Sequence, residues 1–218
     1  MRNPFAALNA AFFSDGFILA IEPGVVLRHP VEILHPGEAP DSQAYHLRNA
    51  ILAGADSQAS VVDTYIGSGP GWTNAVTNID LGPGAILRHV KVQAEDAAAI
   101  HLAVTRARLA ETARYDSFSL ITGARLSRQD IQLAMTGEGA NLQISAAYLL
   151  RNDQEATIAP AVDHQARGGR TNELLKGVLA DRAHGVFLGS VMVREGADDT
   201  DARQLNRNLM TSPTDRAG

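Results

Sequence analysis

Asp163 and His164 stand side by side in APAVDHQARGG, and a carboxylate beside an imidazole can orient a general base or a metal ligand. Neighbours along a strand point to opposite faces, however, so the pair reads more simply as a structural or solvent-facing histidine. His184, in RAHGVF, carries the same reading. Asp198, Asp199 and Asp201, with Glu195 close by, could offer oxygen ligands to a hard cation. DDTD lacks the turn glycine and spacing of a calcium loop, so a solvated acidic turn offset by Arg194, Arg203 and Arg207 is the expectation. Asp56 and Asp63 with Arg106 and Arg108 could form the carboxylate–arginine groove of a carbohydrate lyase or esterase, although no spacing compels it. Nucleophile elbow, phosphate-cradling glycine loop, dinucleotide fingerprint and hexapeptide period are all missing.

Composition narrows the chemistry further. The 218 residues include no cysteine, which removes disulfides, thiol nucleophiles and thiolate-held metals from this chain. A net charge of −5 makes nucleic acid and anionic membrane poor partners. No apolar run is long enough to span a bilayer, and the opening residues lack a secretory pattern, so a cytoplasmic protein is expected. The 19 glycines and an aromatic content of only 5% suit regular layers of Val, Ile, Leu and Ala.

The elements that must position these residues are short. PFAALNAAF places Phe5, Leu8 and Phe12 at helical spacing behind a proline suited to a helix start. Period-two alternation then marks FILAI, VEI, VVDTYI, VKV, IHLAV, SFSL, IQLAM, NLQISAAY and GVFLGSVMV as strands. In IHLAV the parity puts His101 and Ala103 outward. Leu142, Ile144, Ala146 and Tyr148 share one face. No helical crossovers separate the strands between residues 24 and 160, which leaves an antiparallel sandwich or a β-solenoid.

PGVVLRH at 23–29 returns as PGAILRH at 83–89, and the repetition favours the solenoid. Sixty positions read as three coils of about twenty residues, with Leu27 and Leu87 in one ladder. His29 and His89 would then lie about 14 Å apart, too far to share a metal. TNELLKGVL has Leu174, Leu175, Val178 and Leu179 at helical spacing, so a short helical turn is expected near 172–180, weakened by Gly177. The polar stretch 194–210 would cover a helix or an edge. The expected organisation is a lead-in helix and strand over 1–22, a solenoid core over 23–210 and a flexible tail over 211–218.

Four ordered blocks carry a resemblance: NPFAALNAAFFSDG, DHQARGGRTNELLKGVL, RAHGVFLGSVMV and TDARQLNRNLM. Together they are similar to the SufB/SufD family of the SUF iron–sulfur cluster assembly system, and more to its SufD branch. The resemblance implies a right-handed parallel β-helix flanked by helical segments. It implies dimers through β-helix ends, of SufB with SufD or of SufD with itself. It also implies binding of SufC through a C-terminal helical region that this chain is expected to lack. Asp163, His164, Glu173, Lys176, Asp201, Asn206, Arg207 and Asn208 fall on family-pattern positions, where structural or interface roles are expected. The Fe-S cluster belongs, on this resemblance, to the full complex; none is expected on this chain, nor any catalysis of its own. The chain itself could pair with a second copy through an open solenoid edge.

Overall fold

A computed structural model describes residues 3–38, 43–211 and 216–217. The chain begins with α1 (Pro4–Phe12), β1 (Ile18–Ile21), β2 (Val31–Glu38) and β3 (Ala44–Ala53). It continues through β4 (Gln58–Ser68), β5 (Trp72–Leu81), β6 (Ile86–Ala94), β7 (Ile100–Leu109) and β8 (Arg114–Ile121). Then come β9 (Leu126–Met135), β10 (Asn141–Leu150), β11 (Glu155–His164) and β12 (Arg170–Leu179). The last are β13 (His184–Phe187), β14 (Ser190–Val193), β15 (Asp201–Met210) and β16 (Arg216–Ala217). All pairing among named strands is parallel and joins each strand to its counterpart one coil away. One sheet runs β1-β3-β5-β7-β9-β11-β13-β16, with β14 also on β11; the other runs β2-β4-β6-β8-β10-β12-β15. The result is a β-solenoid of about 7 turns.

A stacked corner sets the repeat. Gly24, Asp56, Gly84, Thr112, Gly139, Gly168 and Asp199 all have positive φ, between 53° and 73°. From Gly24 to Gly168, each donates its N–H to the carbonyl just before the corresponding residue of the next coil, as Gly24 does to Ala55 and Asp56 to Pro83. The left-handed conformation is easy for glycine and tolerated by aspartate, which accounts for most residues on this ladder. Behind it lie small side chains that the corner closes over; Ala85, Ala113 and Ala140 are fully buried. The two PG copies are therefore two coils apart, not three, with Asp56 between them. Each coil carries two long strands and takes about 28 residues, not twenty: β4 pairs β6 with Gln58 opposite Ile86, a step of 28 residues. Leu27 and Leu87 do pack against one core, but His29 lies exposed, and the place two coils from His89, reached through Val61, is taken by Val31.

The apolar core fills the space between the sheets beside this corner and through the C-terminal coils, around Leu81, Leu87, Leu109, Met135, Leu142 and Leu179. α1 lies outside it. Asn3 caps the helix by accepting from the Ala6 N–H at 3.1 Å, and Ala6 packs on Val76 and Val104. Asn9 fastens the helix by donating to the carbonyls of Leu47 and Asn74 at 2.9 and 3.0 Å.

Two further expectations are corrected. The helical turn near 172–180 is β12, paired with β10 on one side and β15 on the other. Its inward side takes Thr171, Glu173, Leu175, Gly177 and Leu179, while Leu174 and Val178 face outward, so both faces carry apolar residues. On β7 the parity is the reverse of that read from the sequence. His101 is fully buried inside the solenoid, whereas Val104 points outward and is covered by α1. The polar stretch after residue 194 forms the edge strand β15. Residues 212–215 and 218 of the expected tail, like Met1 and Arg2 of the lead-in, lie outside the described residues, and Arg216–Ala217 pair with β13.

Candidate functional site

Away from the corner, the N-terminal coils enclose a cluster of charged and polar side chains, among them Asp63, Lys91, Glu95 and His101. Inward positions on β4 and β6 stack Asp63 on Lys91 and Tyr65 on Gln93, and β5 with β7 stacks Thr73 on His101. Their alternation is that of any half-buried strand, but the inward side chains are polar. Asp63 accepts from His35 Nε2 at 2.6 Å and from the Tyr65 hydroxyl at 3.2 Å, and His89 Nε2 stands 3.7 Å away. The His35 ring stacks on Tyr65 with centroids 4.3 Å apart, and Lys91 Nζ sits 4.6 Å from the Tyr65 centroid. His89 is in turn held through Nδ1 to the Tyr115 hydroxyl at 3.0 Å.

A second knot surrounds Glu95. Its carboxylate accepts from Thr73 at 2.6 Å and Gln93 at 2.7 Å, and lies 2.9 Å from His101 Nδ1. Burial opposes ionisation of both acids. For Asp63 the hydrogen bonds of His35 and His89 and the charge of Lys91 outweigh it, holding that carboxyl well below the usual range. For Glu95 the charge and hydrogen bond of His101, with Thr73 and Gln93, bring it to about 2. Burial pulls Lys91 down to about 8 against the attraction of Asp63 and Glu95. Burial also lowers His101. The arrangement is a buried chain of charges and hydrogen bonds spanning neighbouring coils. A cavity of about 240 Å³ reaches it from outside, lined in part by His35, Tyr45, Tyr65, Thr73, Glu95 and Asp96. Among the described residues, no three His, Asp or Glu side chains are grouped to hold a metal ion.

The residues singled out from the sequence are spread through the C-terminal coils. Asp163 faces outward on β11 and forms an ion pair with Arg194 at 2.8 Å. His164, next to it, points inward, fully buried, with Nε2 3.0 Å from the Thr171 hydroxyl. The two therefore work on opposite faces. Glu173 is buried on β12 and accepts from Gln204 of β15 at 3.0 Å. Asn208 points inward and accepts from the Tyr148 hydroxyl. Asn206 is half-buried beside it, whereas Lys176, Asp201 and Arg207 face solvent. Asp56 occupies an exposed corner, Asp63 the interior, and Arg106 and Arg108 the outer surface, where they bond Gln132 and Asp80. These four do not converge, so the carbohydrate-enzyme groove does not form.

Glu173 gives the fold a pH dependence. Burial raises its carboxyl from 4.5 to about 7, with the Gln204 bond opposing the shift. The folded chain then binds a proton that the unfolded chain releases, so the contribution of Glu173 to stability is fully present below pH 4.5 and is lost as pH rises from there through about 7. Urea unfolding of Glu173→Gln at pH 5 and pH 8 is expected to lose most of this slope; an unchanged slope would assign it to other groups.

Residues 35–217 match the family model described as SUF system FeS cluster assembly, SufBD core domain. The chain belongs to the SufBD core-domain family. An iron-sulfur cluster assembly SufBD family protein of Synechocystis is 28% identical over 95% of this chain and 48% of its own length. A chloroplastic Arabidopsis thaliana protein named ABCI7 is 24% identical over 96% of the chain and 46% of its own length. The iron-sulfur cluster assembly protein SufD of Escherichia coli is 24% identical over 76% of the chain and 40% of its own length. The chain thus spans about half the length of the curated relatives it matches. The SufBD match begins at His35 and so takes in both the buried charge chain and every position singled out in the C-terminal coils.

The charge chain was missed in the sequence because its members look like solvent-facing residues of ordinary strands. One signal was present: Asp63 and Lys91, Tyr65 and Gln93, and Thr73 and His101 recur at one coil's spacing. A solenoid whose inward column is polar at successive coils has a polar interior.

Proposed function

We propose that this chain is the scaffold core of a SUF iron–sulfur cluster assembly complex and works by holding partner proteins in place. Family membership supports the choice of system. The observation that favours a holding role is the edge strand β15, which pairs with β12 on one side and has no strand on its other side among the described residues. A strand edge of this length offers backbone donors and acceptors to a second chain. SufB is the partner proposed for that edge, with a second copy of this chain as the weaker substitute. SufC is the further partner proposed for the complex, and the Fe-S cluster is cargo of the complex.

Sedimentation velocity of the chain mixed with SufB tests this reading. A complex of equal stoichiometry is expected, and two independent boundaries at every ratio would sink it. Anaerobic reconstitution with iron and sulfide is expected to leave the isolated chain without a stoichiometric cluster; a stable cluster on it would overturn the cargo assignment.

A further inference from the structure

The outer faces of the two sheets differ in kind. On the sheet containing β7, α1 covers one part and salt bridges lace another, with Arg108 on Asp80 at 2.6 Å and Arg194 on Asp163 at 2.8 Å. On the sheet containing β8 the outward residues include two apolar columns, and the column between them runs Thr64, Val92, Leu120, Ala147, Lys176 and Arg207. One column runs Val62, Val90, Phe118, Ser145, Leu174 and Leu205 through successive coils. A parallel column ends in Leu149, Val178 and Leu209. Exposure is high for side chains of this type: Phe118 38%, Leu149 53% and Leu209 62%. Apolar columns exposed to this degree mark a recognition surface, not ordinary scatter.

The face has a sign. On the outward positions of β4, β6, β8, β10, β12 and β15, Arg88, Arg114, Arg170, Lys176, Arg203 and Arg207 stand against Asp116 and Asp201, while the acids Asp56, Glu111, Glu138, Asp198 and Asp199 lie on the neighbouring corners. Arg114 and Arg88 share Asp116, at 2.9 and 3.9 Å. Arg88, Arg114, Val90 and Phe118 meet in a shallow depression of about 310 Å³. On the outward positions of these strands the surplus is positive, on a chain whose net charge is −5.

We propose that this face docks an amphipathic α-helix of a partner protein, its apolar stripe laid along the Val62-to-Leu205 column and an acidic flank against the arginines. The same solenoid already shows the mode, since α1 packs a helix on the outer face of the other sheet. Five strand spacings make the column about 24 Å long, the length of a helix of about sixteen residues. A helix meets such a stripe with residues at positions i, i+3, i+4 and i+7. Charge favours it over the alternatives, because a second copy brings the same arginines to the face, and an anionic bilayer repels a chain of this net charge.

The test uses a synthetic amphipathic helix of about eighteen residues with a leucine stripe and glutamate flanks, and a twin with lysine flanks. Fluorescence anisotropy is expected to show the acidic peptide binding the chain, and the basic twin about tenfold more weakly. Phe118→Thr with Leu205→Thr, both exposed members of the column, keeps strand-forming residues and an unchanged melting curve, yet weakens the acidic peptide by about tenfold or more. Met192→Thr, exposed on the other sheet, leaves binding as it was. Equal binding of the twins, no binding of either, or equal loss with Met192→Thr would overturn the proposal. So would a dimer or vesicle complex, formed without peptide, that the paired threonines abolish.

Discussion

Asp63→Ala is expected to destabilise the fold by about 3–5 kcal/mol, the range for removing one partner from a buried charge pair. Asp63 accepts from His35 at 2.6 Å and Tyr65 at 3.2 Å and offsets the charge of Lys91, one coil away in the same inward column. Truncation leaves the Lys91 ammonium facing Glu95 alone and removes the acceptor that orders His35 against Tyr65. Surface ion pairs such as Arg108–Asp80 are worth far less, because water already solvates both groups. Asp63→Asn keeps the shape and some of the hydrogen bonds, so its loss should be smaller. Adding Lys91→Met to Asp63→Ala should restore part of the stability by removing the stranded charge. Urea unfolding at pH 7 reads all three. A loss below about 1 kcal/mol for Asp63→Ala would mean that the interior is wet enough to solvate the lysine. Because the Asp63 carboxyl is depressed in the folded chain, its contribution is present at neutral pH and disappears as pH falls through the folded value.

Gly177→Ala is the second large effect, expected at about 2–3 kcal/mol although it adds only one methyl group. A Cβ at this position would run into Cε2 and Cζ of Tyr148 and the side-chain oxygen of Asn208. Tyr148 has nowhere to retreat, since a Cβ at Gly185 on the facing sheet would also lie 2.8 Å from the same ring. The ring is clamped between two glycines, and moving it breaks its hydroxyl bond to Asn208, which joins β10 to the edge strand β15. Thermal unfolding measures the loss. Tyr148→Leu should relieve the clash, so the double variant is expected to be less destabilised than the sum of the singles. Strict additivity would show that the ring is not what the methyl meets.

The fold was largely legible because most strands alternate cleanly; β10 buries Leu142, Ile144, Ala146 and Tyr148 as its pattern required. β12 was not, for a physical reason. Its outward residues include Leu174 and Val178, part of an apolar outer face, while its inward residues include Glu173 and Gly177. With hydrocarbon on both faces and a carboxyl inside, the period of two is hidden, and the leucines and valine fall by chance on helical spacing. His101 misled in the opposite way. α1 hides the outward Val104, so the apolar residue is outside the solenoid and the imidazole within. The coil length was misjudged because a repeated PG shows only that two corners are alike. The Asp56 corner between them uses aspartate for the same left-handed φ, and no sequence similarity marks it. The buried charge chain is a tertiary property: its partners sit on different strands, and only the register brings them together.

The corner ladder has a mechanical consequence. Each coil grips only the coils before and after it, through bonds that run parallel to the long axis. Tension applied along that axis therefore peels the molecule from a free end, releasing a whole loop of chain at each step, while a sideways load must shear many rungs at once. A protein assembled this way is stiff across its width and yields turn by turn along its length.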